Sequence, residues 1–413
     1  MFALTAQRGR SLCCEGPKQR ILRRLGQAAR LHEPGEGQEA MMSSRDWDPA
    51  EPFPKGFHEV ARVVYRDDPY WIPEEPAELE ASFGPGNPYF RSCTAWLHFE
   101  PGRTRLAGFF NPGLSIDGRR VAYFGYWETL DDLEANQRVF GSFEDWARSK
   151  GACAVYGPIN FSTFGQYRVR LDHFEAGCFL GEPYNPPYYP AILEALGYRL
   201  DRLYMSITGR LEDALANLQG KMPSPFEAAA ALGVKLVRLS PELWLENLDR
   251  FYALSDVIYS RNFGYTPIDF ATFQRGFGRS FAERFCPKTS VLALDTDGEV
   301  AGFVVSFPDY SPLCRQGARD PIPVRALRYK DHFPLLESPM GIAKSGGVHP
   351  RHRKEGLYWI LNYAIALWAR SEYVYAAGAT MPADNPSLKM AREVFTRPTD
   401  LVRSYGLFFK ELA

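Results

Sequence analysis

The sequence predicts an α/β protein in which mixed central sheets are flanked by helices. Short strands rich in β-branched and aromatic residues alternate with amphipathic helices along most of the chain. The order helix, strands, helix, strand, helix, strand occurs twice, although no residue-level repeat accompanies it. At 413 residues the chain is longer than one hydrophobic core usually organises, so two domains are expected.

The chain is predicted to divide into four segments. They are a leader over 1–45, a first domain over 46–210, a helical connector over 211–236 and a second domain over 237–413. The leader is rich in arginine and has no sustained apolar period, which indicates disorder or a true start near Met41-Met42. The connector is helical at both ends and is cut by Met222–Pro225.

The elements of the first domain follow from hydrophobic period and turn signals. Asp117-Gly118 marks a hairpin, and Gly197 closes a helix. In order, we expect a helix at 58–65, strands at 97–101, 104–110 and 119–127, a helix at 130–150, a strand at 152–156, a helix at 188–196 and a strand at 202–208.

The second domain is predicted by the same signals, with Asp297-Gly298 as its hairpin turn. In order, we expect helices at 241–259 and 267–284, strands at 290–294, 300–307 and 340–348, a helix at 354–370, a strand at 373–379, a helix at 385–393 and a last strand at 401–410.

Composition excludes several classes of function. Lys plus Arg number 48 against 49 Asp plus Glu, so the basic excess typical of nucleic-acid binding is missing, although tRNA is not excluded. The longest apolar run, Tyr358–Ala369, is too short for a membrane span. Seven scattered cysteines indicate reduced thiols and a cytoplasmic protein. His349 and His352 lack further ligands nearby, so no metal is expected.

The segment Gly346–Tyr358 carries the strongest chemical signal. A predicted strand ends there in a tight turn that leads into the first turn of a helix. The first N–H groups of a helix have no intrahelical partner and lie at the positive end of its dipole, so they can hold a pyrophosphate without a metal. Arg351 and Arg353 add positive charge, and Gly356 allows close approach of the backbone.

This segment resembles the acyl-CoA-binding motif of the GNAT superfamily of N-acyltransferases, Val-x-Pro followed by Arg-x-x-Gly-x-Gly/Ala. Here it reads Val348-His-Pro350 and Arg353-Lys-Glu-Gly356-Leu-Tyr358. The resemblance implies acetyl-CoA or another acyl-CoA as co-substrate, with no metal. The implied binding residues are Gly347, Val348, Arg351, Arg353, Lys354, Gly356, Leu357 and Tyr358. The sequence departs from the pattern at Lys354, often Gly, and at Tyr358, where the family has a small residue.

The chain is also similar to bacterial two-lobed GNAT-like proteins over most of 57–410. Its first domain lacks the motif between Trp127 and Leu133, so we interpret that domain as a degenerate copy. The resemblance implies two catalytic residues: Tyr405, which would protonate the departing thiolate, and Asn385, which opens the next helix. It places Tyr259, Tyr265 and Asp269 in the region that covers the acceptor.

Together these features predict an acyl-CoA-dependent N-acyltransferase that transfers an acyl group directly to a small-molecule amine. One alternative is an aminoacyl-tRNA-dependent transferase of the same fold. A second is a non-catalytic binding or scaffold protein, which the bulky Tyr358 in the phosphate turn favours. The sequence leaves the oligomeric state open.

Overall fold

The computed structural model describes residues 45–412, whose strands form one twelve-stranded sheet in the order β1-β2-β3-β4-β12-β6-β11-β10-β9-β8-β7, with β5 paired to β12. The strands are β1 Thr94–Glu100, β2 Thr104–Ile116, β3 Arg119–Thr129, β4 Ala154–Gly157, β5 Val169–Arg170, β6 Arg199–Arg210, β7 Lys235–Arg238, β8 Val291–Leu294, β9 Val300–Pro308, β10 Met340–Val348, β11 Tyr375–Pro382 and β12 Leu401–Glu411.

Helices flank this sheet, and the predicted class of mixed sheet with flanking helices is confirmed. The helices are α1 Lys55–Val64, α2 Pro76–Phe83, α3 Leu133–Ser149, α4 Tyr189–Ala195, α5 Leu211–Lys221, α6 Pro225–Ala231, α7 Pro241–Glu246, α8 Leu248–Tyr259, α9 Phe270–Phe277, α10 Arg279–Ala282, α11 Ser311–Cys314, α12 Tyr329–His332, α13 Leu357–Ala369 and α14 Pro386–Val394.

Helix α3 shows how sequence sets the packing of the first half. It begins after Asp132, whose side chain accepts a hydrogen bond from the N–H of Ala135 at 3.0 Å. Phe140, Phe143 and Trp146 recur at helical spacing and are buried in one core cluster with strand residues such as Phe124. The amphipathic pattern therefore seats α3 on the sheet.

Helix α13 is the central helix of the second half. Its sequence is apolar on nearly every side, and its buried residues contact two separate core clusters. Leu357 and Leu361 pack in one cluster with Val348 of β10, while Tyr363 packs in the other. Burial on two faces explains why this segment lacks an amphipathic period.

Strand β12 lies between β4 and β6 and is antiparallel to both. A strand from the predicted second domain thus sits beside β4 of the predicted first domain, while β6 pairs on its other edge with β11. The sheet is continuous across the predicted boundaries, and the four-segment division remains a prediction. Of the predicted leader over 1–45, all but Arg45 lies outside the described residues.

Both halves contain the same local strand pattern. In the first, β3 runs parallel to β4 for the three residues Val121–Tyr123; in the second, β10 runs parallel to β11 for Met340–Ala343. Soon after each parallel stretch comes a residue with positive φ, Tyr126 at 48° and Ser345 at 59°. Each parallel pair therefore separates at a backbone irregularity.

Most predicted elements are present, and the differences have local causes. The predicted helix 241–259 is interrupted at Asn247, whose amide donates to the carbonyl of Leu243. The predicted helix 267–284 is interrupted at Gly278, where a Cβ would collide with the carbonyl oxygen of Gln274. The predicted helix 354–370 begins later, at Leu357, because Gly356 has a φ of 77°. Helices α2, α11 and α12 and strands β5 and β7 were not predicted.

Because β12 joins β4 to β6, we predict that the described part of the chain unfolds in one cooperative transition. Amides of β12, β4 and β6 should then exchange with solvent only on global unfolding, with equal opening free energies. Native-state hydrogen exchange in increasing denaturant, read by mass spectrometry, measures this. Exchange of β7–β9 at a separate, lower free energy would contradict the prediction.

Candidate active site

The second half contains an open gap between β10 and β11. Their pairing ends at Ala343 and Gly378, and β11 then shifts its register against β6 before Met381. Strand β10 continues to Val348 along β9, with a register shift around Ser345. Beyond Ala343, the edge of β10 that faces β11 has no strand partner within residues 45–412.

The equivalent gap in the first half is closed by the chain itself. After β4, the N–H of Ile159 donates to the carbonyl of Phe124 at 2.6 Å, and the N–H of Tyr126 donates to Oδ1 of Asn160 at 2.8 Å. The ring of Phe161 packs on Phe109 with centroids 4.4 Å apart. The groups that an extended ligand would pair with are therefore already bonded.

The turn after β10 has the shape that its sequence predicts. Pro350–Glu355 form a 3-10 helix, Gly356 adopts a left-handed conformation with φ 77°, and α13 follows. A Cβ added at Gly356 would meet no atom within 4 Å, so the space beside this residue is open. The N-cap residue Gly356 has no side chain to accept from the first N–H groups of α13, which lack partners within the helix.

The predicted arginines lie at this turn but already have protein partners. Arg351 donates to a carboxylate oxygen of Asp295 at 2.6 Å, and about half of its side chain is exposed. Arg353 donates from Nε to the carbonyl of Val348 at 3.3 Å. Both charges therefore border the turn while being held by the protein.

The other residues predicted to bind the cofactor differ in which of their groups are available to a ligand. Leu357 is fully buried and Val348 nearly so, which leaves only their backbone groups for a ligand. A Cβ at Gly347 would lie 2.7 Å from the side chain of Ile258, so only glycine fits there without displacement. Of Lys354, the structure describes the backbone alone.

Tyr358 packs its side chain against two apolar clusters and also borders the main cavity. Burial raises the pKa of its phenol. It lies near Tyr259, whose hydroxyl donates to the carbonyl of Gly346 at 3.3 Å. Tyr259, predicted from the acceptor region, is therefore brought beside the open edge of β10.

The remaining predicted acceptor residues have structural partners. Tyr265 donates its hydroxyl to Asp256 at 2.5 Å. Asp269 accepts from the N–H of Thr272 at 2.7 Å at the start of α9 and pairs with Arg91 at 3.1 Å. Asp269 thus serves as a helix cap, and both predicted residues border the same cavity as Tyr259.

Tyr405 is not brought to the gap. It lies on β12, which β6 and β11 separate from β10. Its side chain is fully buried and its hydroxyl donates to Glu182, which also forms an ion pair with Arg403 at 2.8 Å. Burial and the Glu182 carboxylate raise the pKa of the phenol, so its proton is held in this network.

Asn385 caps α14 by accepting from the N–H of Ser387 at 2.9 Å and borders the cavity.

The cavity has a volume of about 1860 Å³ and joins the open gap to the loop that follows β4. Two cations on its wall, Arg168 and Lys344, were missed by the sequence analysis. A lysine within the glycine-rich strand β10 was the available signal.

The described part of the chain contains neither a cluster of three metal-ligating side chains nor a helix suited to crossing a bilayer.

Comparisons with known proteins give relatives of low identity. No protein-family model matches the chain. A stretch of 152 residues is 26% identical to protein YghO of Escherichia coli strain K12, covering 35% of this chain and 38% of that protein. The match thus spans little more than a third of the relative's length.

Several solved structures are similar over most of the chain. A tandem GNAT protein from the clavulanic acid biosynthesis pathway is 12% identical, covers 87% of this chain and 94% of its own, and gives a TM-score of 0.47. A GCN5-related N-acetyltransferase from Sphaerobacter thermophilus is 13% identical, covers 89% and 95%, and gives 0.42. L-PGS from Bacillus licheniformis is 11% identical, covers 87% and 91%, and gives 0.38.

Because Tyr405 supports Glu182, we predict that Tyr405→Phe destabilises the fold by about 1–3 kcal/mol while leaving turnover of any acyl transfer unchanged. Denaturant unfolding and steady-state rates measure the two effects. Tyr70→Phe, at a residue 37% exposed, is the matched control and should shift stability by less than about 0.5 kcal/mol. Lost turnover with unchanged stability would restore Tyr405 as a catalytic acid.

Proposed function

We propose that the second half of this protein transfers an acyl group from an acyl-CoA directly to an amine. The observation that carries the proposal is the open edge of β10 beyond Ala343, which leads to the glycine turn at Gly356. An extended amide-bearing arm can pair with such an edge, and a diphosphate suits the helix start that follows it.

The two halves of the chain provide an internal comparison. Both contain a parallel strand pair that separates, but only the second leaves its gap open and continues into a glycine turn with flanking arginines. In the first half, Ile159 and Asn160 occupy the gap. We therefore assign donor binding to the second half only.

Catalysis in this proposal depends on positioning. Acyl-CoA supplies an activated thioester. The edge of β10 would fix the donor arm, N–H groups near Gly347 and Val348 would stabilise charge on the carbonyl oxygen, and the cavity walls would limit water. Tyr405 is too far along the sheet to contribute a proton, so solvent or the substrate amine would protonate the leaving sulfur. A cytoplasmic location, a small-molecule amine and the acyl chain remain predictions.

Replacement of Gly356 tests donor binding with a matched pair of variants. Asp and Asn have nearly the same shape and both tolerate positive φ. The Cβ of either residue would meet no atom within 4 Å at this position. We predict that Gly356→Asp weakens acetyl-CoA binding roughly tenfold or more relative to Gly356→Asn, because only Asp places negative charge beside the diphosphate. Isothermal titration calorimetry measures the two affinities.

Circular dichroism and thermal unfolding of both variants provide the fold control. Equal affinities for Asp and Asn at unchanged stability would remove the turn from the donor site. If the unmodified protein binds neither acetyl-CoA nor longer acyl-CoAs, the proposed function is contradicted and the non-catalytic alternative is favoured.

Replacement of Tyr358 tests whether its side chain blocks acetyl-CoA, as the non-catalytic scaffold alternative requires. Because its ring packs on apolar clusters beside α13, we expect Tyr358→Leu to keep that packing and to leave acetyl-CoA affinity unchanged. The same calorimetric titration measures this, with Tyr363→Leu on the far side of the helix as a control for altered packing. A gain of tenfold or more in affinity, about 1.4 kcal/mol, would show that the phenol obstructs the site.

A further inference from the structure

We infer that the cavity contains a recognition site for an oxyanion, a carboxylate or a phosphate, carried by the amine acceptor and held by Arg168 and Lys344. Both side chains border the cavity that reaches the open gap. The inference rests on the proposed function where it describes the ligand as the acceptor; the anion site itself follows from the two cations.

Arg168 is held in a fixed position by aromatic side chains. Its guanidinium lies 3.6 Å from the ring centroid of Tyr167 and 3.9 Å from that of Tyr204, and it donates to the hydroxyl of Tyr167. The residue has a φ of 89°, a backbone conformation that side-chain-bearing residues rarely adopt. Such strain is typical of functional sites, where the surrounding structure imposes a geometry.

The positive charge of Arg168 is not neutralised by the protein. Arg168 forms no ion pair with any carboxylate between residues 45 and 412, and its Nε is buried without a hydrogen-bond partner. A guanidinium does not lose its proton in proteins, so it cannot escape the cost of burial by becoming neutral. An anion from outside the chain would complete its bonding.

Lys344 is a second cation that borders the same cavity. Its Nζ lies 3.4 Å from the carbonyl oxygen of Gly181 and forms no ion pair in the described part of the chain. Burial lowers the pKa of Lys344 to about 8, and the positive charges of Arg168 and Arg284 act in the same direction. Two like charges close enough to repel each other would both gain from a shared anion.

Two carboxylates close to Lys344 already have partners: Glu182, whose negative charge acts on Lys344, and Asp309, which accepts from the N–H of Leu180 beside Gly181. Glu182 accepts from Arg403 at 2.8 and 3.0 Å and from the hydroxyl of Tyr405. Asp309 accepts from the N–H and the hydroxyl of Ser311, both at 2.9 Å. Neither can turn to Arg168 or Lys344 without giving up buried hydrogen bonds.

The position of Lys344 relates the anion site to the chemistry. Lys344 immediately precedes Ser345, where β10 becomes irregular and its edge opens toward β11. An acceptor anchored there by its anionic group would have its amine within a few bonds of the open edge. The planar fork of Arg168 and the point charge of Lys344 can bind either a carboxylate or a phosphate.

The first experiment compares three amines with the same two-carbon spacer: ethanolamine, β-alanine and O-phosphoethanolamine, each with acetyl-CoA. We expect kcat/KM for at least one acidic amine to exceed that for ethanolamine by roughly 10- to 100-fold, as charged hydrogen bonds predict. Arg168→Met and Lys344→Met should each bring this ratio close to one. The larger of the two ratios, for β-alanine or for O-phosphoethanolamine, shows whether the site prefers a carboxylate or a phosphate.

Arg202→Met is the matched control. Arg202 also borders the cavity, but it pairs with Asp201 at 3.4 Å and stacks on Phe263. Its replacement should leave the ratio unchanged. Two results would overturn the inference. One is that the unmodified protein uses both acidic amines no better than ethanolamine. The other is that the ratio of kcat/KM values falls as much in Arg202→Met as in Arg168→Met.

The second experiment does not require turnover. In the Gly356→Asp protein, whose phosphate turn is blocked, thermal unfolding is followed in sodium acetate and sodium phosphate at ionic strength matched with sodium chloride. We expect at least one anion to raise the Tm, and Arg168→Met or Lys344→Met in this background to abolish the rise. Equal shifts with and without these substitutions would overturn the inference, whatever the outcome for acetyl-CoA binding.

Discussion

The departure of β10 from β11 at Ser345 is the constraint on which the rest of the site depends. Parallel strands can remain paired only while both keep an extended backbone, and a φ of 59° breaks that condition. Because β9 continues to support β10 on its other edge, the strand stays in the sheet while one edge becomes free. A free edge inside a protein, rather than at its border, is a rare arrangement that natural proteins otherwise avoid.

The first half contains a similar separation of parallel strands, but its gap is closed. Its strands β3 and β4 also separate, but the chain folds back so that Ile159 and Asn160 bond the exposed groups. The loop turns a potential site into a wall of the cavity, and Phe161 adds an aromatic surface to that wall. The two halves thus share a local strand pattern and differ in whether its gap is open, and β12 joins the strands of both halves in one sheet.

The sequence could predict features made by residues that are close together along the chain, but not contacts between residues that are far apart in it. The pattern from Val348 to Tyr358 is local, so its strand, turn and helix were predicted together, and Met340–Val348 matches the observed strand. The predicted helix start at Asn385 is local too, because the side chain of Asn385 accepts from the N–H of Ser387 only two residues away. The partners of Tyr405 and Lys344 lie far away in sequence, at Glu182 and Gly181, and no periodic pattern reports such contacts. For the same reason the placement of β12 between strands of the other half could not be read from the order of elements.

The location of β12 also has a consequence for synthesis. Residues 401–411 leave the ribosome after the other eleven strands of the sheet, yet they occupy a position in the middle of it. Until they emerge, β4 and β6 each present an unpaired edge to the cell, and Phe408 is missing from a core cluster that is otherwise made by residues already translated. A nascent chain of this protein can therefore complete the sheet only after β12 has emerged, and until then its exposed edges are open to chaperones and to pairing with other chains.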